Sequence, residues 1–177
     1  MKRDDLTQEQ LVELLDYDPL TGVFVWRERE GDDLATHAFN ANYAGKVAGH
    51  KMFKADGGVY CRIGLLRREF MAHRLAYLYM TGKWPEEEID HKNNDGFDNR
   101  WENLRPASRS ENACNRGKHR HNKTGFKGVA PLGKRFRAVV QMKGDKRYLG
   151  VFDTAAEAAA AYAKAAKELQ GEFSRVA

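Results

Sequence analysis

The segment Glu88-Ile89-Asp90-His91, continuing as KNNDGFDNRWENLRPASRSENACNRG to Gly117, concentrates groups that do chemistry and few that pack a core. Hydrolysing a phosphodiester requires a deprotonated water in line with the leaving oxygen and a cation to hold the charge that builds on the phosphate. An imidazole, which titrates near neutrality, suits the first task. Carboxylate and amide oxygens suit the second, because hard Mg²⁺ takes few protein oxygens and keeps the rest of its shell for water and substrate. If Asp90 and His91 are neighbours on a strand, their side chains point to opposite sides, one toward a metal and the other toward a water. The two cysteines, Cys61 and Cys114, are far apart and form no Cys-x-x-Cys pair, so neither a disulfide framework nor a zinc ribbon is expected.

The elements that must position these residues are legible around them. Thr7 with Gln10 makes a capping box for a helix to about Leu15, Asp18 to Gly22 makes a turn, and Val23 to Trp26 reads as a strand. The polar, glycine-bearing stretch through His50 reads as loop. Val59 to Ile63 alternates as a strand, Gly64 offers a hairpin, and a second strand follows near Arg68 to Met71. A helix from about Ala72 to Thr81 stops at Gly82, and Pro85 bars its return. Glu88 to His91 is then a short strand, Trp101 and Leu104 anchor the loop after it, and Ser108 with Glu111 caps a helix that ends at Gly117.

These residues resemble the HNH nucleases, the ββα-metal family. Beyond Asp90 and His91, the matching positions are Asn103 in WENLR and Asn112 in SEN, at spacings of 103 − 91 = 12 and 112 − 91 = 21. The flanking AHRLAYLYMTGKWP is similar to phage-encoded and homing members. The resemblance implies that Asp90 and Asn112 bind a divalent metal (Mg²⁺, with Mn²⁺ as an alternative), that His91 is the general base, and that Asn103 orients it. The implied products carry 5′-phosphate and 3′-hydroxyl ends. Taken singly, Asp90 reads equally as a turn residue, Asn103 as a loop brace and Asn112 as a polar helix residue; only their joint placement points to a metal site. His73 and Arg74 begin a helix, where a structural imidazole is the plainer reading of His73.

The C-terminal third has its own pattern. Lys118 to Lys123 is a basic run with no apolar anchor, read as a linker between a first domain, residues 1–117, and a second, residues 124–177. Three short β candidates follow, Gly125 to Val129, Arg135 to Met142 and Arg147 to Val151. Thr154 with Glu157 then opens an alanine-rich helix to about Leu169. Alternation turns Phe136, Ala138, Val140 and Met142 toward that helix and leaves Arg135, Arg137, Val139, Gln141 and Lys143 on the outer face. Such a face reads DNA well: arginine pairs bidentately with guanine, glutamine with adenine, and lysine holds phosphate. YLGVFDTAAEAAAAY and its surroundings are similar to the plant ethylene-response-factor type of DNA-binding domain, and that resemblance adds Lys127, Lys146, Tyr148 and Tyr162 as DNA contacts; Arg147 is expected to touch DNA as well. The fold class expected is α+β, a ββα-metal unit followed by a small three-stranded antiparallel sheet packed on one helix.

Charge divides as the motifs do. Residues 1–115 carry 16 Lys+Arg against 20 Asp+Glu, a net −4, whereas the remaining 14 basic and 5 acidic residues give +9, for the +5 of the 177-residue chain. A basic segment this short attracts polyanions. At 42% hydrophobic the chain can build modest cores, and no window resembles a secretory signal or an apolar span. A cytoplasmic protein is expected, in a host cell if the gene is phage-borne, acting on double-stranded DNA with no membrane partner and with a monomer favoured. Two functions fit: a metal-dependent DNA endonuclease targeted by its C-terminal domain, or a non-catalytic DNA-binding regulator that keeps a nuclease scaffold.

Overall fold

The first helix forms where its cap demands. The Thr7 hydroxyl accepts from the backbone N–H of Gln10 at 3.3 Å, the Gln10 side chain accepts from Thr7 N–H at 3.2 Å, and α1 runs Gln8–Leu14. The structure, a computed structural model, describes residues 6–54, 57–118 and 121–176, and the chain in it falls into two units, Met1–Pro106 and Ala107–Ala177. Its architecture is mixed, with five α-helices and small sheets of two or three strands among the described residues.

In the first unit, β1 (Leu15–Asp18) and β2 (Val23–Trp26) pair antiparallel across the Asp18–Gly22 turn. A second sheet has the order β3 (His50–Phe53), β4 (Val59–Leu65), β5 (Arg68–Met71). α3 (Ala72–Thr81) follows β5 directly and ends at Gly82, whose φ of 72° supplies the left-handed cap. Gln8 Nε2 donates to the Tyr79 carbonyl at 2.6 Å and Trp84 Nε1 to the Leu6 carbonyl at 2.9 Å, tying the N-terminal segment to α3 and the chain after it. Leu11, Leu15, Phe24, Ile63, Leu65, Leu75 and Leu78 fill the core they enclose. β6 (Glu88–His91) and β7 (Leu104–Ala107) form a two-stranded sheet, with Ile89 and Leu104 reaching the same core.

Two expectations are corrected here. The stretch before His50 is not all loop: α2 (Leu34–Tyr43) occupies it, capped by the Asp33 carboxylate, which accepts from Ala35 and Thr36 N–H. None of its residues is buried, so it has no apolar stripe to betray it. Phe39 and Tyr43 instead stack edge-on around Trp26, and the Arg29 guanidinium lies 3.4 Å from the Phe39 ring centre. The β4–β5 turn is made by Leu66 and Arg67, both in left-handed conformation (φ 50° and 62°), while Gly64 stays in the strand opposite Glu69.

The second unit is built on an antiparallel sheet of order β10 (Asp145–Phe152), β9 (Arg135–Met142), β8 (Val129–Leu132). The first strand begins at Val129, since Gly125 and Gly128 turn the chain with φ of 80° and 71°. α5 (Ala155–Gln170), opened by the Thr154 and Glu157 capping box, lies on one face, where Ala158, Ala165 and Ala166 permit close approach to Ala138 and Val140. α4 (Arg109–Asn115), capped by Ser108 and Glu111, packs in this unit. Its Ser110 hydroxyl accepts from Lys143 N–H at 2.7 Å. Of the basic run 118–123, His119 and Arg120 lie outside the described residues.

Candidate active site and nucleic-acid interface

Asp90 and His91 end β6, and strand alternation sends their side chains to different partners. Both are buried, at 3% and 5% exposure. Arg105, brought opposite by β7, donates from Nε and Nη2 to Asp90 Oδ2 at 2.9 and 2.8 Å, a desolvated ion pair. Sequence reasoning passed over Arg105. The available signal was a lone cation at period two from Asn103 on a strand otherwise reading Leu104, Pro106, Ala107.

The imidazole of His91 meets a different set. Its Nε2 lies 3.3 Å from Asn99 Oδ1. Asn99 Nδ2 donates to the Phe97 carbonyl at 3.1 Å, which turns Oδ1 toward His91. With Asn99 Oδ1 as the acceptor, the neutral tautomer that matches this contact carries its proton on Nε2. Burial lowers the pKa of His91, more than the Asn99 bond and the nearby Asp90 carboxylate raise it, so the ring is neutral at pH 7. His73 from α3 stands edge-on to it, with ring centres 4.9 Å apart at 85°, and Tyr60 from β4 lies 6.0 Å from both. His73 Nδ1 is buried without a hydrogen-bond partner among the described residues.

Asn103 holds the loop that follows His91. Its Nδ2 donates to Asn93 Oδ1 at 3.0 Å and to the Asp98 carbonyl at 2.7 Å, and its Oδ1 accepts from Asn93 N–H at 3.1 Å. The side chain against the imidazole is thus Asn99; Asn103 acts on the intervening backbone. Asp98 accepts from Arg100 Nε and Nη2 at 2.8 and 2.7 Å and from Asn93 Nδ2 at 2.8 Å, and these bonds hold its carboxyl down at about 2. Gly96 brings the loop onto β4, where any larger residue would overlap the Val59 carbonyl and the Tyr60 ring.

Asn112 lies on α4, its backbone N–H bonded to the Ser108 carbonyl, in the second unit. Among the described residues no three His, Cys, Asp or Glu side chains are grouped to hold a metal. A site of one carboxylate plus amide oxygens would not form such a group, and it is the donor chemistry that a hard ion retaining several waters accepts. Arg105 already neutralises Asp90 in part, so an ion there would share the carboxylate with a guanidinium.

On the second unit the burial of β9 alternates as expected, with Ala138 and Val140 buried and Arg135, Arg137 and Gln141 exposed. Strand register sets Lys146 opposite Gln141 and Tyr148 opposite Val139, so those two extend the outer face. Arg147 is opposite Val140 and belongs to the helix side of the sheet, where it remains exposed. Lys143 is in the β9–β10 turn with φ 52°, and Arg135 is paired with Asp153 at 2.8 Å. Lys127 donates its ammonium to the Cys114 carbonyl, and Tyr162, 3% exposed, packs in the core against Gly128. These two brace the unit from within, leaving Arg137, Gln141, Lys146 and Tyr148 as the outer set.

Against families of known proteins, residues 70–114 match a family model described as HNH endonuclease. No curated protein and no solved structure matches the chain. The matched segment runs from β5 to the end of α4 and contains His73, Asp90, His91, Asn99, Asn103, Arg105 and Asn112. This segment is similar to HNH endonucleases, which points to a nuclease acting on DNA.

Proposed function

We propose that the chain is a metal-dependent DNA endonuclease, in which the first unit cuts and the second grips the duplex. The observation that carries this is the buried, neutral His91 imidazole, fixed by Asn99 beside the Asp90–Arg105 pair, inside the segment that matches HNH endonucleases. His91 Nδ1 takes a proton from water as the water oxygen bonds to phosphorus and the bond to the 3′ oxygen breaks. The leaving oxygen is protonated by solvent, which gives 3′-hydroxyl and 5′-phosphate ends. On the HNH pattern, whose last position is Asn112, Asp90 would offer its carboxylate to Mg²⁺ or Mn²⁺. A bound ion supplies charge stabilisation at the phosphate. The similarity of residues 124–177 to the ethylene-response-factor type of domain, and their positive charge, support the outer sheet face as the DNA grip, with Arg137, Gln141, Lys146 and Tyr148 as its readers.

Incubation with plasmid DNA in Mg²⁺, in EDTA, and with His91→Ala tests the reading. Cleavage is expected in Mg²⁺ alone, with the variant slower by roughly 10²- to 10⁴-fold. Tight binding of a selected DNA target with no cleavage under any condition would favour a non-catalytic regulator.

A further inference from the structure

The hairpin β1–β2 lies outside the matched segment, yet it is fastened to the residue that touches His91. The Tyr17 hydroxyl, buried, donates to the Asn99 carbonyl at 2.7 Å. Two residues on, Trp101 N–H donates to the Pro19 carbonyl in the hairpin turn at 2.9 Å. Between these bonds, Gly22, at φ 74°, lies so close to the main chain of Asn99 and Arg100 that a methyl group there would overlap both. The turn itself is made rigid by Asp18, whose carboxylate accepts from Leu20 N–H at 2.9 Å and from the Thr21 hydroxyl at 2.7 Å. Tyr17 is in turn wedged by Phe24 and Tyr79, with ring centres at 4.6 and 5.6 Å.

We propose that this N-terminal hairpin is a positioning element of the site: it fixes the main chain at Asn99, and Asn99 holds the His91 imidazole in its ring orientation and tautomer. The inference rests on the reading of His91 as the base, and it gives residues 15–26 a part in the chemistry. Asn99 joins its amide to the backbone through two short torsions, and its Nδ2 bond to the Phe97 carbonyl at 3.1 Å holds them, so a displaced main chain carries Oδ1 with it. A hydrogen bond of 3.3 Å has little slack to absorb that shift. Tyr17 and Asn99 are positioning residues, acting on the reacting atoms only through His91.

Tyr17→Phe in the full chain is the decisive variant, because it keeps the ring in the core and removes only the bond to Asn99. Two readouts are taken at a temperature where the variant is folded by circular dichroism. In spectra of chain labelled with ¹⁵N-histidine, wild-type His91 is expected as the Nε2–H tautomer, and Tyr17→Phe is expected to shift its ring nitrogens toward the values of Asn99→Ala. In cleavage, kcat is expected to fall by about fivefold, the equivalent of one hydrogen bond, with KM unchanged. Ring signals of Tyr17→Phe that superimpose on wild type would overturn the proposal, as would an unchanged kcat or a loss confined to KM. If wild-type chain cuts no DNA, the nuclease reading fails, and the ring spectra still decide whether the hairpin sets His91.

Discussion

His73 and His91 meet edge to face within the first unit, and burial holds both pKa values down, that of His73 well below 6.5. The groups around His73 reinforce this: His91, Arg74 and Lys54 all oppose a further positive charge. The sign of the pH dependence follows. A histidine kept neutral in the fold takes up protons more readily when unfolded, so stability is complete above about pH 6.5 and is lost as pH falls toward the depressed native value. Unfolding free energy should therefore drop between pH 7 and 5, by up to about 1.4 kcal/mol per pH unit for each histidine, with thermal midpoints falling alongside, and His73→Phe should flatten the drop. An equally steep profile in that variant would show that His73 is not the group responsible. The Asp90–Arg105 pair makes a separate prediction. Arg105→Ala takes the guanidinium away from a buried carboxylate, at a cost of about 3–5 kcal/mol in urea unfolding. Of these residues, Asp90 and His91 stood out by type and position at a strand end, and Asn103 through the HNH resemblance. Asn99 and Arg105 were not, because their partners are set by tertiary approach: the Asn99 amide acquires meaning only once Phe97 turns it toward His91.

At the scale of elements, local signals mark the capped helices well. Thr7, Ser108 and Thr154 each begin a helix with a capping box, and Gly82 ends one, because these are interactions within one turn of chain. α2 escaped detection since its face is not buried and no periodicity was selected. The Leu66-Arg67 turn escaped because left-handed conformation at non-glycine residues has no compositional sign. In the second unit, Gly128 is the point where the chain crosses α5: a side chain there would overlap the Tyr162 ring and approach the Val139 carbonyl, at φ 71°. Gly128→Ala is expected to lower stability by about 1–3 kcal/mol, read as a thermal shift. Thr154→Ala, which removes the α5 cap, should cost about 1 kcal/mol. A silent Gly128→Ala would mean that α5 does not press on the 128 turn.

Across the whole molecule, charge and chemistry are assigned to different stretches: residues 1–115 carry net −4 and the remainder +9. If the basic part grips the phosphate backbone, binding should weaken with salt in proportion to the phosphates it neutralises. Arg137→Gln with Lys146→Gln is expected to reduce the slope of log affinity against log salt by up to about 2, about 0.9 for each phosphate left without its cation. An unchanged slope would count against this sheet face as the DNA grip. No helix among the described residues is long and apolar enough to cross a membrane. The sequence by itself determined the charge division, the capped helices, the alternation of β9 and the spacing of Asp90, His91, Asn103 and Asn112, because each depends on residue type within a few positions along the chain. Only the tertiary structure decided that Arg105 pairs with Asp90, that Asn99 stands against the His91 imidazole, that Tyr162 is core, and that Tyr17, 82 positions from Asn99, holds its carbonyl. Those interactions join segments distant in sequence, and they exist only after the core between them has closed.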